Sequence, residues 1–324
     1  MNSELLKIKD LIDESKNISI VSHVNPDGDN MGSVLALGIS LTKIKGTVDM
    51  VMSDSIPEDY RFLPGVDLLK GYGEPRENID ILFVLDCSDL MRLGENQKLA
   101  ETAKVIVNID HHVSNEMFGD INIVDPQSSS TGEMIFSFLE SLELPIDREI
   151  ATCIYTAIST DTGRFTYQNV TGKTHIIISK LYDYGINGYE INKNLYQNRS
   201  LKRTQLFIKI LSGIELMFDG KFALASVSID MLNETGASME DTEGVVEFLR
   251  DTASVEAACL LKEISKDEIK VSLRTKETVD ANAVCNVFGG GGHIRASGCT
   301  INGNLMDAGK MMTEEIEKLL LNDR

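Results

Sequence analysis

Four short segments of this chain concentrate the residue types that bind divalent cations. The first is His23-Val24-Asn25-Pro26-Asp27-Gly28-Asp29-Asn30-Met31-Gly32-Ser33, and the second is Val84-Leu85-Asp86-Cys87-Ser88-Asp89. The third is Asn108-Ile109-Asp110-His111-His112, and the fourth is Asp161-Thr162-Gly163-Arg164-Phe165. Of the five histidines in the chain, three lie in these segments and a fourth, His293, follows a glycine run near the C-terminus. Taken singly, an Asp-x-Asp pair is ordinarily a turn or a helix cap. The conjunction of four segments carries the inference. If Asp27, Asp29, Asp86 and Asp161 converge, several carboxylates within a few ångströms cannot all stay ionised without cations. Two divalent ions would neutralise four of them, with Asp86 as the bridge between ions about 3.5–4 Å apart. Carboxylate and imidazole donors without thiolate favour Mn2+, with Mg2+, Co2+ or Fe2+ as alternatives, over a structural zinc site.

Convergence requires a scaffold. The first half reads as alternating strands and helices. Strands are expected at Ile18–Ser22, Thr47–Met52, Ile79–Leu85 and Lys104–Ile109, and helices at Met31–Ile44, Glu133–Leu142 and Arg148–Ser159. That alternation implies a parallel sheet wrapped by helices on both faces, an α/β class. Ligands of such sheets bind beyond the carboxyl ends of the strands. Three of the four segments follow a predicted strand and the fourth follows a predicted helix. Pro26 and its Gly and Asn neighbours predict a loop from which Asp27 and Asp29 both turn inward.

The second half has another rhythm. Strands are expected at Phe222–Ser228, Glu256–Glu263 and Glu268–Arg274, and helices at Thr242–Thr252 and Met306–Leu320. A smaller α+β domain with a mixed sheet follows. The expected division is a metal-binding domain at 1–186, a linker at 187–205 and a second domain at 206–324. Composition agrees with an ordinary globular protein, at 42% apolar and 25% charged residues. An amphipathic first helix replaces any signal-peptide layout, and no apolar run approaches the roughly 18 residues of a spanning helix. A cytoplasmic location, with no membrane partner, is the expectation. Cys87, Cys153, Cys259, Cys285 and Cys299 form no C-x-x-C pair and are expected to be buried free thiols.

The ordered segments H-x-N-P-D-G-D-x-x-G-S, L-D-C-S-D, D-H-H and T-D-T-G-R-F resemble motifs one to four of the DHH phosphoesterases. The late run Phe288-Gly289-Gly290-Gly291-Gly292-His293-Ile294-Arg295-Ala296-Ser297-Gly298 resembles the signature of the DHH-associated C-terminal domain. The resemblance spans almost the whole chain and is strongest to the small two-domain members that degrade very short RNA or dephosphorylate 3′-phosphoadenosine-5′-phosphate (pAp). The lysine- and arginine-rich motif of family II pyrophosphatases is not found. The resemblance implies that His23 and Asp27 hold one metal, that Asp29, His111 and Asp161 hold the other, and that Asp86 lies between. It implies that Asp110 orients its histidine neighbour and that His112 faces the substrate phosphate as hydrogen-bond donor or general acid.

Outside the metal ligands, Gly289, Gly290, Gly291 and Gly292 suggest a row of backbone N–H groups that cradles an anion. With Arg274, His293 and Arg295 they form a plausible clamp on the far end of a substrate. Arg164 is balanced between pointing at substrate and capping a helix end. Arg199, Arg203 and His175 read as structural or solvated.

The chain carries 31 basic and 50 acidic side chains, a net charge of −19. That excludes a broad basic surface for long duplex nucleic acid and favours short RNA or small nucleotides bound locally. A homodimer is compatible with the sequence. The leading function is hydrolysis of short oligoribonucleotides to mononucleotides and of pAp to AMP. A phosphodiesterase of cyclic dinucleotides or their linear products would need the same centre. A non-catalytic nucleotide-sensing module is disfavoured because no ligand position is missing.

Overall fold

A computed structural model describes residues 3–71 and 78–321. The chain forms two compact units, residues 1–198 and 199–324.

The first unit contains α1 (Ser3–Glu14), β1 (Ile18–Ser22), α2 (Gly28–Lys45), β2 (Asp49–Met52), β3 (Leu69–Gly71), β4 (Ile81–Leu85) and α3 (Gln97–Thr102). It continues with β5 (Val105–Asp110), β6 (Ile121–Val124), α4 (Thr131–Ser141), α5 (Arg148–Asp161), α6 (Gly172–Asp183) and α7 (Gly188–Tyr196). Its six strands are all parallel, in the order β3-β2-β1-β4-β5-β6. The strand order therefore reverses between β1 and β4, where Ser22 pairs with Leu85. Such a reversal opens a crevice at the carboxyl ends of the two strands. The strands are apolar runs because both faces are covered. Ile81, Phe83 and Leu85 pack into a core with α1, α2, α4 and α5, whereas Leu82 and Val84 face a smaller cluster with Leu93 and Leu99.

Close helix approach brings loop ends together on the larger face. A Cβ at Gly32 of α2 would sit 2.4 Å from the Cys153 carbonyl and 2.8 Å from the Ala157 Cβ of α5. One at Gly132 of α4 would sit 2.4 Å from the same Ala157 Cβ. Glycine at these positions lets three helices meet where bulkier residues would hold them apart.

The second unit holds α8 (Leu201–Ser212), β7 (Glu215–Met217), β8 (Phe222–Val227), α9 (Ile229–Thr235), α10 (Val245–Arg250), β9 (Ala257–Ser265) and β10 (Glu268–Thr275). Next come α11 (Ala281–Asn286), β11 (Gly291–His293), β12 (Ala296–Asn302) and α12 (Leu305–Leu321). Its sheet, β11-β12-β10-β9-β8-β7, is mixed, with β8 and β9 parallel and the other neighbours antiparallel. Alternate residues of β9 serve opposite cores: Cys259 and Leu261 pack with α11 and α12, Ala258 and Leu260 with α8 and α10. Within the segment expected to join the domains, Ile191 of α7 packs into the first unit, and just beyond it Leu206 of α8 packs into the second.

The parallel-sheet domain and the mixed-sheet domain are as the sequence predicted, with three local corrections. Helix α2 begins at Gly28, not Met31, because the Asp27 side chain accepts a hydrogen bond from Asn30 N at 2.9 Å and caps the helix. Asp29 is therefore in the first helical turn and not in a loop. The helix expected at Thr242–Thr252 is divided, since Gly244 adopts a left-handed φ of 85° between a 3-10 turn at Met239–Thr242 and α10. Finally, β3, β6, β7, β11 and β12 were not predicted; the first four are short and lie at sheet edges, whereas β12 lies within the second sheet, between β11 and β10. All five cysteines are buried free thiols. Among the described residues, no helix is long and apolar enough to cross a membrane.

Candidate active site

The crevice at the β1/β4 reversal gathers the predicted ligands. His23 follows β1, Asp86 follows β4, Asp110 ends β5, and His111 and His112 follow it. Three parallel neighbours thus deliver their next residues side by side. Asp86 has a left-handed φ of 54°, and its N–H donates to the Ile109 carbonyl at 3.0 Å. That kink turns its carboxylate into the crevice instead of continuing the strand. Asp29 comes from the first turn of α2, and Asp161 is the last residue of α5.

Two trios result. His23, Asp27 and Asp86 form one, and Asp29, His111 and Asp161 the other; in each, one donor atom per residue lies within 4.8 Å of the rest. Asp86 joins them. One of its oxygens is 3.3 Å from His23 Nε2, and the other is 3.7 Å from His111 Nε2. His111 Nε2 also lies 3.7 Å from Asp29 and 3.6 Å from Asp161, and His23 Nε2 lies 3.8 Å from Asp27. Asp86, His111 and His112 make a third such group.

The donor set suits cations. His23 Nδ1 is 2.7 Å from the Val24 carbonyl, and His111 Nδ1 is 3.4 Å from the Ser128 carbonyl. A carbonyl only accepts, so each Nδ1 carries hydrogen, and each Nε2 points at carboxylate oxygens. Once Nε2 gives up its proton, such a gathering of donor atoms needs a positive charge at its centre. The acids show the same frustration. Burial, followed by the charges of Asp86, Asp161 and Asp27, pushes the Asp29 carboxyl well above its ordinary range. Asp161 is pushed up to about 7, by burial first and then by Asp86 and Asp27, against the pull of His111 and His112. Asp86 moves the other way. Burial opposes its ionisation, but the His23 hydrogen bond and the nearby histidine charges outweigh it and hold the carboxyl well below normal.

Backbone amides complete the cluster. Thr131 N and Gly132 N, at the start of α4, donate to the two oxygens of Asp29 at 2.7 and 2.8 Å. Thr131 Oγ1 donates to Asp86 at 3.0 Å. These contacts were not foreseen, although the run Ser130-Thr131-Gly132-Glu133 is itself a readable helix start, with Ser130 accepting from Glu133 N.

His112 is governed by Asp110. Asp110 Oδ1 accepts from His112 Nδ1 at 2.6 Å and from the His111 and His112 amides, while Oδ2 accepts from Asn115 Nδ2 at 2.7 Å. Burial lowers the His112 pKa, but the Asp110 hydrogen bond and the charges of Asp86 and Asp110 prevail and raise it to about 9. His112 is therefore a cationic donor at neutral pH. Asn115 also bridges to Asn108 at 2.8 Å and to the Cys87 carbonyl at 3.1 Å, which fixes the carboxylate plane. Asn169 Nδ2 braces the other side, donating to the Ser129 carbonyl at 2.7 Å and the Asp161 carbonyl at 3.1 Å. Neither asparagine was singled out from sequence.

The residues predicted in the second unit are placed differently from one another. Arg274 in β10 pairs with Glu247 at 2.9 Å and donates to the Leu273 carbonyl at 3.1 Å. His293 is exposed at the end of β11. Arg295 donates to the carbonyls of Val279, at 2.8 Å, and Glu277, so its guanidinium secures that loop. The glycine run corrects one expectation: the amides of Gly289 and Gly290 donate to Asn286 and Cys285, and Gly291 and Gly292 pair with β12. It is no row of open N–H groups. Its glycines answer a steric need, since a Cβ on Gly290 would fall 2.2 Å from the Gly298 carbonyl and one on Gly292 2.6 Å from that of Ala296. Arg203 donates to the Glu243 carbonyl and Arg199 lies over Phe207, both within the second unit. His175 packs beside Phe165.

A reversed parallel sheet with linked His/Asp trios at the reversal, followed by a mixed-sheet domain, is the architecture of a hydrolytic phosphoesterase. The chain belongs to the DHH family: residues 17–158 match the DHH family, N-terminal domain, and residues 219–318 match the DHHA1 domain. It is similar to the bifunctional oligoribonuclease and PAP phosphatase NrnA of Thermus thermophilus, 31% identical over 90% of this chain and 86% of that one. The protein of the same description from Bacillus subtilis is 29% identical over 93% of each chain. Among solved structures, an exopolyphosphatase-related protein from Bacteroides fragilis superposes with a TM-score of 0.92 at 30% identity, covering 98% of this chain and 96% of that one.

Proposed function

We propose that this protein hydrolyses short oligoribonucleotides to mononucleotides and pAp to AMP, in the cytoplasm, with divalent cations in the β1/β4 crevice. The observation that carries the reading is Asp86, whose two oxygens face separate His/Asp trios. The relatives named for oligoribonuclease and PAP phosphatase activity, matched along most of their length, support the substrate class. His23, Asp27 and Asp86 would hold one cation and Asp29, His111, Asp161 and Asp86 the other, Mn2+ being the best match to oxygen and imidazole donors. Such cations, when bound, supply Lewis-acid charge to a phosphoryl group and acidify the attacking water.

The chain's own residues do the rest. His112, charged at neutral pH and held by Asp110, donates a hydrogen bond to a phosphoryl oxygen as negative charge builds there, or a proton to the departing ribose oxygen. The amides of Thr131 and Gly132 hold Asp29 in one orientation, so the ligand set is formed before substrate arrives. In the second unit, Arg274, which pairs with Glu247, and the exposed His293 are the groups we assign to substrate binding. The net charge of −19 works against holding longer nucleic acid.

The test is a comparison of kcat/KM for pAp, the dinucleotide pApA, cyclic di-AMP and 5′-phosphorylated RNA of two to twenty nucleotides, with Mn2+. The reading expects pAp and the shortest RNAs to lead. Equal efficiency on 20-mers and dimers would overturn it, and preference for the cyclic dinucleotide would replace it with the phosphodiesterase alternative.

A further inference from the structure

Directly after Asp161 the backbone does something unusual. Gly163, Arg164 and Phe165 are all left-handed, with φ of 53°, 62° and 65°. Glycine accepts that conformation freely, but arginine and phenylalanine do so at a cost that persists only where the surroundings enforce it. Two packing contacts enforce it here. The Tyr167 ring fills the space over Gly163, where a Cβ would lie 2.3 Å from the ring. Phe165 turns inward, its ring 6.0 Å from that of Tyr155.

The consequence is the placement of Arg164. Its guanidinium carbon lies 3.9 Å from the centroid of the Tyr196 ring, a cation–π contact. The tyrosine is itself fixed, since its hydroxyl is 2.9 Å from Ser159 Oγ, two residues before Asp161 on α5. The side chain is exposed, and among the described residues no carboxylate lies within ion-pair distance of it. In a chain with 50 acidic and 31 basic side chains, a pre-oriented arginine without an acidic partner is conspicuous. A helix-end role would explain a cation near the last turn of α5. It would not explain three consecutive left-handed residues or an anchored ring beneath the guanidinium. With the tyrosine ring beneath it, the exposed guanidinium has N–H groups to offer a phosphate.

We infer that Arg164, seated on Tyr196, binds the non-scissile phosphate of the substrate, the 5′-phosphate of pAp or of a short 5′-phosphorylated oligonucleotide. The inference rests on the nucleotide phosphoesterase reading above and adds a phosphate subsite on the catalytic unit itself. The chemistry also predicts why arginine is needed: a lysine keeps the charge but loses the paired N–H groups of the guanidinium.

Two measurements on wild type, Arg164→Gln, Arg164→Lys, Tyr196→Leu and Tyr196→Phe test it. The first is the ratio of kcat/KM for pAp over 3′-AMP, which lacks the 5′-phosphate. The second is the ratio of Kd for adenosine over 5′-AMP by calorimetry, which involves no turnover. Loss of a charge-assisted contact should lower both ratios roughly ten- to hundredfold in Arg164→Gln. Arg164→Lys and Tyr196→Leu should fall partway, and Tyr196→Phe should keep most of the preference because the ring remains. If wild type hydrolyses both nucleotides and Arg164→Gln retains both ratios, the subsite is wrong and the phosphoesterase reading stands. If wild type hydrolyses neither but Arg164→Gln still loses the preference for 5′-AMP, the subsite stands and the functional reading fails.

Discussion

Asp86 and His112 sit 3.7 Å apart and do different work. Asp86 turns its two oxygens to His23 and to His111, whereas His112, though grouped with Asp86 and His111, is tied through Nδ1 to Asp110, which keeps the ring oriented and cationic. Asp86→Asn should therefore abolish turnover and weaken the binding of both cations. His112→Ala should lower kcat by roughly two to four orders of magnitude, as loss of a general acid does, with metal content little changed. Metal analysis checks the pair: a His112→Ala protein that lost an ion while His111→Ala kept both would reverse the assignment. Most of this site was legible as residue types, because histidine and aspartate in fixed order leave a sharp trace. Thr131 and Gly132 were not, because they act through backbone amides, and any residue at a helix start can supply those. Asn115 and Asn169 escaped notice for a related reason: asparagine in a loop ordinarily marks a turn, and only the folded contacts reveal bracing.

At the level of elements, the ligands converge because α2, α4 and α5 touch through small residues. Gly32→Ala would place a methyl 2.4 Å from the Cys153 carbonyl, a backbone atom that cannot swing aside. Overpacking of that kind costs about 1–3 kcal/mol. The displaced helices carry Asp29 and Asp161, so cation affinity should fall together with the denaturation midpoint. Urea titration and calorimetric Mn2+ binding of Gly32→Ala check this; unchanged affinity in a destabilised protein would separate packing from site formation. The strands of the parallel sheet were recognisable as apolar runs of five or six residues. The start of α2 was misread because Pro26 and Gly28 look like a loop, while the Asp27 cap that begins the helix depends on a single side-chain contact. The edge strands β3 and β6 are short and half-buried, too weak a pattern to separate from turn.

At the scale of the molecule, the carboxylate cluster makes stability depend on pH. Asp29 and Asp161 have carboxyl groups raised above the ordinary value, Asp161 to about 7. A carboxyl whose pKa is higher in the folded state holds its proton more tightly there. Without cations, folding stability should accordingly decline as pH rises from the ordinary carboxylate range through about 7, the range over which Asp161 ionises in the folded protein. Cations remove that penalty and add stability by mass action. The rise in Tm on adding saturating Mn2+ should thus be larger at pH 8 than at pH 5.5, as differential scanning calorimetry can read. An equal rise at both values would mean that the carboxylates do not share their protons as described. The two-domain plan was legible in the change of rhythm along the chain. The glycine run of the second unit was read for its chemistry when its first task is steric, a distinction that only the β11–β12 pairing reveals.

If catalysis belongs to cations held around Asp86, phosphate release from pAp by exhaustively chelated protein, followed through stepwise addition of Mn2+, will show it. No release is expected without metal, recovery should saturate near two ions per chain, and Asp86→Asn should not recover at the same concentrations. Full activity after chelation, or full recovery in Asp86→Asn, would contradict that placement.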